Sequence, residues 1–300
     1  MGNAPGLSIP GKVFLIGEYA VLTGACAWLA AVPPRFELRA GSLAVPFAPE
    51  SPAGRFLAGP GKPIGETKLT GDFFDPWEGR GGFGGSTAEF AFAAYRAGLR
   101  GHAEVWRAYR ELSAGEPSVR RPSGADLVAQ WVGGSVEWNP GTETTRDLTG
   151  ILGELPVLIF SATHLPNRKT VTHAHLDTLA SASLSFESLL PSLERAQNAA
   201  ASKNWREVGL AFSAFADSLS HLGLESPVVR NERLAIARLS GVLGVKGCGS
   251  LQTDAMLVVV ESLASPETDA VIAYAAEKCS LRLLARGLPG EAGIREEIAL

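Results

Sequence analysis

Ile9-Pro10-Gly11-Lys12-Val13-Phe14-Leu15-Ile16-Gly17-Glu18-Tyr19-Ala20-Val21-Leu22-Thr23-Gly24 carries the strongest structural signal in the chain. Pro10-Gly11-Lys12 reads as a turn running into four apolar residues, 13–16, after which Gly17 and Glu18 follow directly. A short apolar run bounded by turn residues is the pattern of a buried strand. The stretch therefore predicts a cation, Lys12, at the mouth of a buried strand and a carboxylate, Glu18, at its far end. A lysine at such a rim can act as a fixed positive charge for an anionic ligand.

Working outward, 300 residues suffice for a large core and predict two domains, 1–150 and 151–300, with no flexible linker between them. With 46 % hydrophobic and 19 % charged residues the chain is globular rather than disordered. A formal net charge of −4 gives no reason to expect nucleic acid, so an anionic substrate requires a local basic patch. Cys26, Cys248 and Cys279 are far apart and odd in number, which indicates neither a disulfide framework nor a zinc site and fits a reducing cytoplasm. No apolar stretch is long enough to cross a bilayer, and no signal peptide or membrane partner is expected.

Strands are expected at 13–16, 27–31, 36–40 and 42–47, and residues 48–82 read as loops around short extended pieces. Helices are expected at 86–99, 103–112 and 124–131, and a strand at 135–138. The second half predicts a buried strand at 155–161. Helical patterns then run from 172 to 243, broken at Pro191, near Lys203 and at Pro227. Strands at 256–261 and 280–285 flank a helix at 266–278. The mixture of helix and strand in both halves argues for the α+β class.

Arg80-Gly81-Gly82-Phe83-Gly84-Gly85-Ser86-Thr87-Ala88-Glu89 places glycines directly before an alanine-rich helix. Such a loop lets backbone N–H groups converge on an anion, and the helix start adds free donors and a favourable dipole. Gly82, Gly84 and Gly85 with the hydroxyls of Ser86 and Thr87 are therefore candidate phosphate ligands. Ser86 with Glu89 also matches a capping box, and the two readings are compatible. Gly6 to Lys12 spells part of a P-loop, but Val13 stands where the magnesium-binding hydroxyl is needed.

Arg121-Pro122-Ser123-Gly124-Ala125-Asp126 opens another helix, where Ser123 and Asp126 again fit a capping box. Gly244-Val245-Lys246-Gly247-Cys248-Gly249-Ser250-Leu251-Gln252-Thr253-Asp254 reads as a glycine turn ahead of a strand. Asn167-Arg168-Lys169-Thr170-Val171-Thr172 sets two cations beside two hydroxyls, a group that suits a phosphate or carboxylate.

The segment 9–24 resembles the first motif of the GHMP small-molecule kinases. Its Gly17-Glu18-Tyr19-Ala20-Val21-Leu22 wording is similar to the mevalonate-pathway branch, phosphomevalonate kinase above all. Gly82 to Ala88 resembles the second motif, a Gly-x-Gly-Ser-Ser-Ala run, with Gly85 in place of the first serine. Pro122 to Asp126 resembles the Pro-Ser-Gly-x-Asp element, and Lys246 to Thr253 a degenerate third motif that has lost its later glycines. The resemblance implies an α+β, two-domain GHMP kinase fold: a ribosomal protein S5 domain 2-like N-terminal domain and a ferredoxin-like C-terminal one. It implies ATP and Mg²⁺ as cofactors and a small-molecule acceptor, mevalonate or phosphomevalonate, and it leaves room for a homodimer. On this basis Asp126 and Lys12 are expected to be catalytic. Gly82, Gly84, Gly85, Ser86 and Thr87 are expected to bind nucleotide, and Ser86 and Glu116 to hold the metal. Glu18, Tyr19, Lys169, Thr170 and Gly249 are expected at the substrate. A non-catalytic member of the fold that only binds its ligand is the competing expectation, motivated by the altered third motif and Gly85.

Overall fold

Strand β1 (Gly6–Ile16) and the long β2 (Ala27–Ala44) pair antiparallel and form the spine of the first sheet. The computed structural model describes residues 6–44, 47–59, 70–80, 82–114, 121–162 and 185–297. After β2 come α1 (Pro52–Ala58), β3 (Thr70–Phe74), α2 (Gly85–Arg96), α3 (His102–Glu111) and α4 (Ala125–Val132). Next are β4 (Ser135–Asn139), β5 (Thr144–Asp147), α5 (Thr149–Leu152) and β6 (Val157–Ser161). The remainder comprises α6 (Leu190–Ala201), α7 (Trp205–His221), α8 (Pro227–Ile236), β7 (Val242–Cys248), β8 (Ala255–Val260), α9 (Pro266–Cys279), β9 (Arg282–Arg286) and β10 (Arg295–Glu297).

The first sheet has the order β10-β1-β2-β4-β5, with β3 also on β2; the second has the order β7-β8-β6-β9. Every pairing is antiparallel and helices flank the sheets, as the α+β expectation requires. The strand β10 returns to the edge of β1, so the first sheet draws on residues beyond 150. Arg35 holds that return: it donates to Ser8 O (3.1 Å), Ala292 O (2.7 Å) and Gly293 O (2.8 Å).

Several expectations need correction. Pro10-Gly11-Lys12 is not a turn; it lies inside β1, and Lys12 sits mid-strand. The three strands expected between 27 and 47 are largely one strand, β2. Both differences have one cause. The register jumps from Pro10 opposite Arg35 to Gly11 opposite Val32, so Pro33 and Pro34 fall in a bulge. A bulge needs no ladder N–H, and the prolines there do not end the strand. The breaks expected at Pro191, near Lys203 and at Pro227 do fall at helix boundaries: the two prolines lie in the first turns of α6 and α8, where proline lacks only an N–H that a first turn leaves unpaired anyway. Residues 242–248 are a strand where helix and glycine turn were expected. Gly244 lies so close to Gly209 of α7 that a Cβ would stand 1.9 Å from Gly209 O. Glycine here serves helix-on-strand contact, not a turn.

A continuous apolar core, from Leu7, Trp28 and Phe90 to Phe212 and Leu257, runs across both sheets. One ion pair crosses it. Lys246 on β7 is fully buried and its ammonium donates to the Glu18 carboxylate, to Gly247 O (2.7 Å) and to Phe14 O (3.5 Å). Removing one partner of a buried pair strands the other charge and typically costs about 3–5 kcal/mol, whereas replacing both is often neutral. Lys246→Met is therefore expected to lower urea-unfolding stability by about 3–5 kcal/mol. Glu18→Gln/Lys246→Met should recover most of that loss; equal losses in both variants would show that the pair is not the cause.

Candidate active site

A cleft of about 510 Å³ opens between the glycine loop, the start of α4 and the 249–254 loop. The expected residues Lys12, Glu18, Tyr19, Gly82, Gly84, Gly85, Ser86, Asp126 and Gly249 line it. Asp75, Glu89, Ser250 and Asp254, to which the sequence reading gave no role at the ligand, line it as well. Glu116, Lys169 and Thr170 lie outside the described residues.

Lys12 is placed by alternation along β1, which turns its side chain toward the glycine loop. Its ammonium donates to Gly82 O (3.1 Å) and its backbone N–H to Phe83 O (3.2 Å), so side chain and main chain both grip the loop. Phe83 stacks on Trp77 at 3.9 Å between ring centres, which supports the loop from its apolar side.

Gly84, in a left-handed conformation, is the N-cap of helix α2, which has no side-chain cap. The capping box expected at Ser86 is thus not formed. Ser86 is exposed to the cleft, and the first-turn N–H groups of α2 have no intrahelical partners. Thr87 behaves otherwise. It is 1 % exposed, and its hydroxyl lies 2.9 Å from Gly84 O and 2.5 Å from Gln130 Oε1. The expectation that Thr87 faces the nucleotide is therefore corrected: it braces the loop from inside. Gln130 completes this brace by donating to Pro10 O (2.8 Å) and Gly84 O (3.2 Å), which ties β1 to the loop. It stands four residues after Asp126 on an otherwise apolar helix face, and that single buried polar position was the available signal.

Asp126 lies in the first turn of α4, half-buried. The turn before it is held by Trp106 Nε1 on Ser123 O (2.8 Å) and Arg110 on Pro122 O (2.7 Å). A Cβ at Gly124 would meet the Trp106 ring at 2.7 Å, and this helix too starts at a left-handed glycine. Across the cleft, Asp254 packs over Gly82 and Gly249: a Cβ on either would come within 2.7 Å or less of its side chain.

The side of the cleft near α2 is acidic. Burial, and then the charge of Asp75, push the Glu89 carboxyl above its ordinary value. Burial foremost pushes the Tyr19 phenol up to about 12, and Glu18 adds to the rise. Glu18 itself is buried in the pair with Lys246 and in a bond from Gln252 Nε2 (2.8 Å). Its carboxylate is thus committed between the two sheets. Among the described residues no three His, Cys, Asp or Glu side chains come together to hold a metal ion by themselves. Ser86 and the neighbouring carboxylates suit Mg²⁺ in its usual form, bound through few protein ligands together with phosphate oxygens and water.

No family model matches the chain, and no curated protein matches its sequence. Solved structures do match. Streptococcus pneumoniae phosphomevalonate kinase in complex with phosphomevalonate and AMPPNP is similar with a TM-score of 0.69 at 13 % identity, covering 98 % of this chain and 100 % of that one. L. major mevalonate kinase in complex with R-mevalonate has a TM-score of 0.64 at 18 % identity, covering 97 % of each chain. The Lin0012 protein from Listeria innocua has a TM-score of 0.71 at 14 % identity, covering 97 % of this chain and 100 % of that one. The chain has the GHMP kinase fold over nearly its full length.

Two predictions follow from the placement of the hydroxyls and carboxyls. Ser86→Ala should leave thermal stability within about 0.5 kcal/mol, whereas Thr87→Val should cost about 1–2 kcal/mol by stranding buried acceptors; denaturant melts distinguish them. A raised carboxyl binds protons more readily in the folded state, so its penalty grows as pH rises through the folded value and vanishes below the unfolded one. Glu89→Gln should thus raise the melting temperature by about 1–2 °C at pH 8, and the gain should fade toward pH 4.

Proposed function

We propose that this chain is an ATP- and Mg²⁺-dependent small-molecule kinase of the mevalonate pathway, with phosphomevalonate as its first candidate acceptor and mevalonate as the second. One observation carries this reading: Lys12, Asp126 and the uncapped start of α2 with Ser86 face a single cleft. They come from three separate elements, and a phosphoryl-transfer site needs those three kinds of group at once. The choice of acceptor is supported by the Gly17-Glu18-Tyr19 wording and by the likeness to a phosphomevalonate kinase holding phosphomevalonate and AMPPNP.

The residues divide the work as follows. Gly84, Gly85 and the first-turn N–H groups of α2 bind phosphate oxygens, with the helix dipole favouring their charge. Ser86 and a carboxylate of the cleft would hold Mg²⁺, which when bound would neutralise charge on the phosphates. Lys12, already fixed on Gly82, offsets negative charge on the transferring group. Asp126 orients the acceptor oxygen; where that oxygen is the hydroxyl of mevalonate it also takes the proton as the new P–O bond forms and the bond to the departing ADP breaks, whereas a phosphate acceptor arrives already deprotonated. Transfer depends on alignment and charge neutralisation more than on a strong base, which a carboxylate can serve. Thr87 and Gln130 act behind this surface by keeping the loop in register.

A non-catalytic, ligand-binding role is the second reading. It is favoured by the 251–253 segment, where Leu251, Gln252 or Thr253, depending on alignment, replaces the later glycines of the motif it resembles.

ADP release with Mg·ATP over mevalonate, 5-phosphomevalonate, galactose and homoserine tests both readings. Turnover on one mevalonate compound is expected, reduced about 10²–10⁴-fold in Asp126→Ala. Turnover indifferent to that change would sink the mechanism. Nucleotide binding without turnover on any acceptor would favour the second reading.

A further inference from the structure

Leu251 (φ 50°) and Gln252 (φ 63°) are consecutive non-glycine residues in the left-handed region. Large side chains rarely adopt this backbone, and it persists only where the surroundings over-determine it. Here they do. Leu251 N–H donates to the Tyr19 hydroxyl (3.1 Å), and Leu251 O accepts from Ser226 N–H (3.0 Å). Gln252 N–H donates to Gly249 O (3.0 Å), and its fully buried amide donates to Glu18 Oε1 (2.8 Å).

The opposite side of this contact is equally unusual. Tyr19 also has a positive φ, 62°, and Gly17 has φ 102° with Cys26 O 2.7 Å from where a Cβ would be. The 17–19 turn is bent sharply so that Glu18 and Tyr19 both reach the 249–253 loop. Two backbones in rare conformations meet through one side chain–side chain and one backbone–side chain hydrogen bond, next to Gly249 and Ser250, which line the cleft.

The geometry points to Gln252 as a positioning residue: with Tyr19 it locks the 249–253 loop to the 17–19 turn and so fixes the loop backbone that faces the cleft. In this chain, side-chain anchors hold a conformation that glycines would adopt unaided. Glu18 and Tyr19 then serve the site chiefly as the far half of that lock. The nucleotide arm of the test rests on the kinase reading above; the lock itself does not.

Cys248 is a built-in reporter. It adjoins Gly249, is 2 % exposed, and its thiol donates to Phe14 O at 3.1 Å. Cys279, on α9, is buried elsewhere and reports general opening. The test is alkylation of the two thiols by N-ethylmaleimide, followed by mass spectrometry, in wild type, Gln252→Asn and Tyr19→Phe. Asparagine tolerates the left-handed backbone but is one methylene too short to reach Glu18. A rise of about tenfold at Cys248 in either variant, with Cys279 unchanged, is expected. Binding of Mg·AMPPNP should weaken about threefold or more in the same variants. Unchanged Cys248 labelling in both variants overturns the proposal, and so does a parallel rise at both cysteines, which would mean general loosening. Wild-type protein that binds no nucleotide while the Cys248 result holds would remove the kinase reading and leave the lock in place.

Discussion

The buried ammonium of Lys246 constrains everything around it. An isolated charge cannot stay in an apolar core, so a carboxylate must be delivered to it. Glu18 is that carboxylate, 228 residues away in the chain, in the turn that follows β1 of the other sheet. The pair therefore exists only when both sheets are formed and docked. Its Coulomb gain is offset by the cost of desolvating two ions, so the intact pair adds little net stability, while either ion left alone would be costly. Because Phe14 O also accepts from Lys246, β1 is fixed at its C-terminal end against β7.

With β1 so fixed, the cleft inherits its geometry. Lys12 lies two residues before Phe14 on the same strand and reaches Gly82. Gln130 reaches Pro10 from α4 and Gly84 from the same amide. One strand thus registers the glycine loop, the start of α2 and the helix that carries Asp126. The glycines answer to this packing as much as to any ligand. Gly82 and Gly249 admit Asp254, and Gly84 admits Gln130. A loop shaped by such contacts is pre-organised before a ligand arrives, which is what electrostatic stabilisation of a developing charge requires.

The 249–253 loop follows a path that glycines favour without glycines at its centre. Leu251 and Gln252 adopt left-handed backbone conformations at an energetic cost that Tyr19, Glu18 and Ser226 offset. Read as a string of letters, the segment is defective. Read as a backbone, it still delivers Gly249 and Ser250 to the cleft.

The sequence by itself determined the α+β class, most of the helices, the buried strands at 13–16 and 155–161, and the cleft residues Lys12 and Ser86. These were legible because local rules govern them: helical periodicity, apolar runs, and glycines ahead of a helix. Asp126 and Gly249 were expected there only through the resemblance of their segments to the kinase motifs. Tertiary structure alone decided the rest. It kept Pro10-Gly11-Lys12 in a strand by bulging Pro33 and Pro34, and it made β7 of a segment that reads as a glycine turn. It turned Thr87 inward toward Gln130, brought Asp75 beside Glu89, and committed Glu18 to Lys246. Each of these outcomes depends on a partner distant in sequence. The direction in which a side chain points, and whether a glycine serves a turn or a close approach, are set by what packs against it, and no local pattern encodes that neighbour.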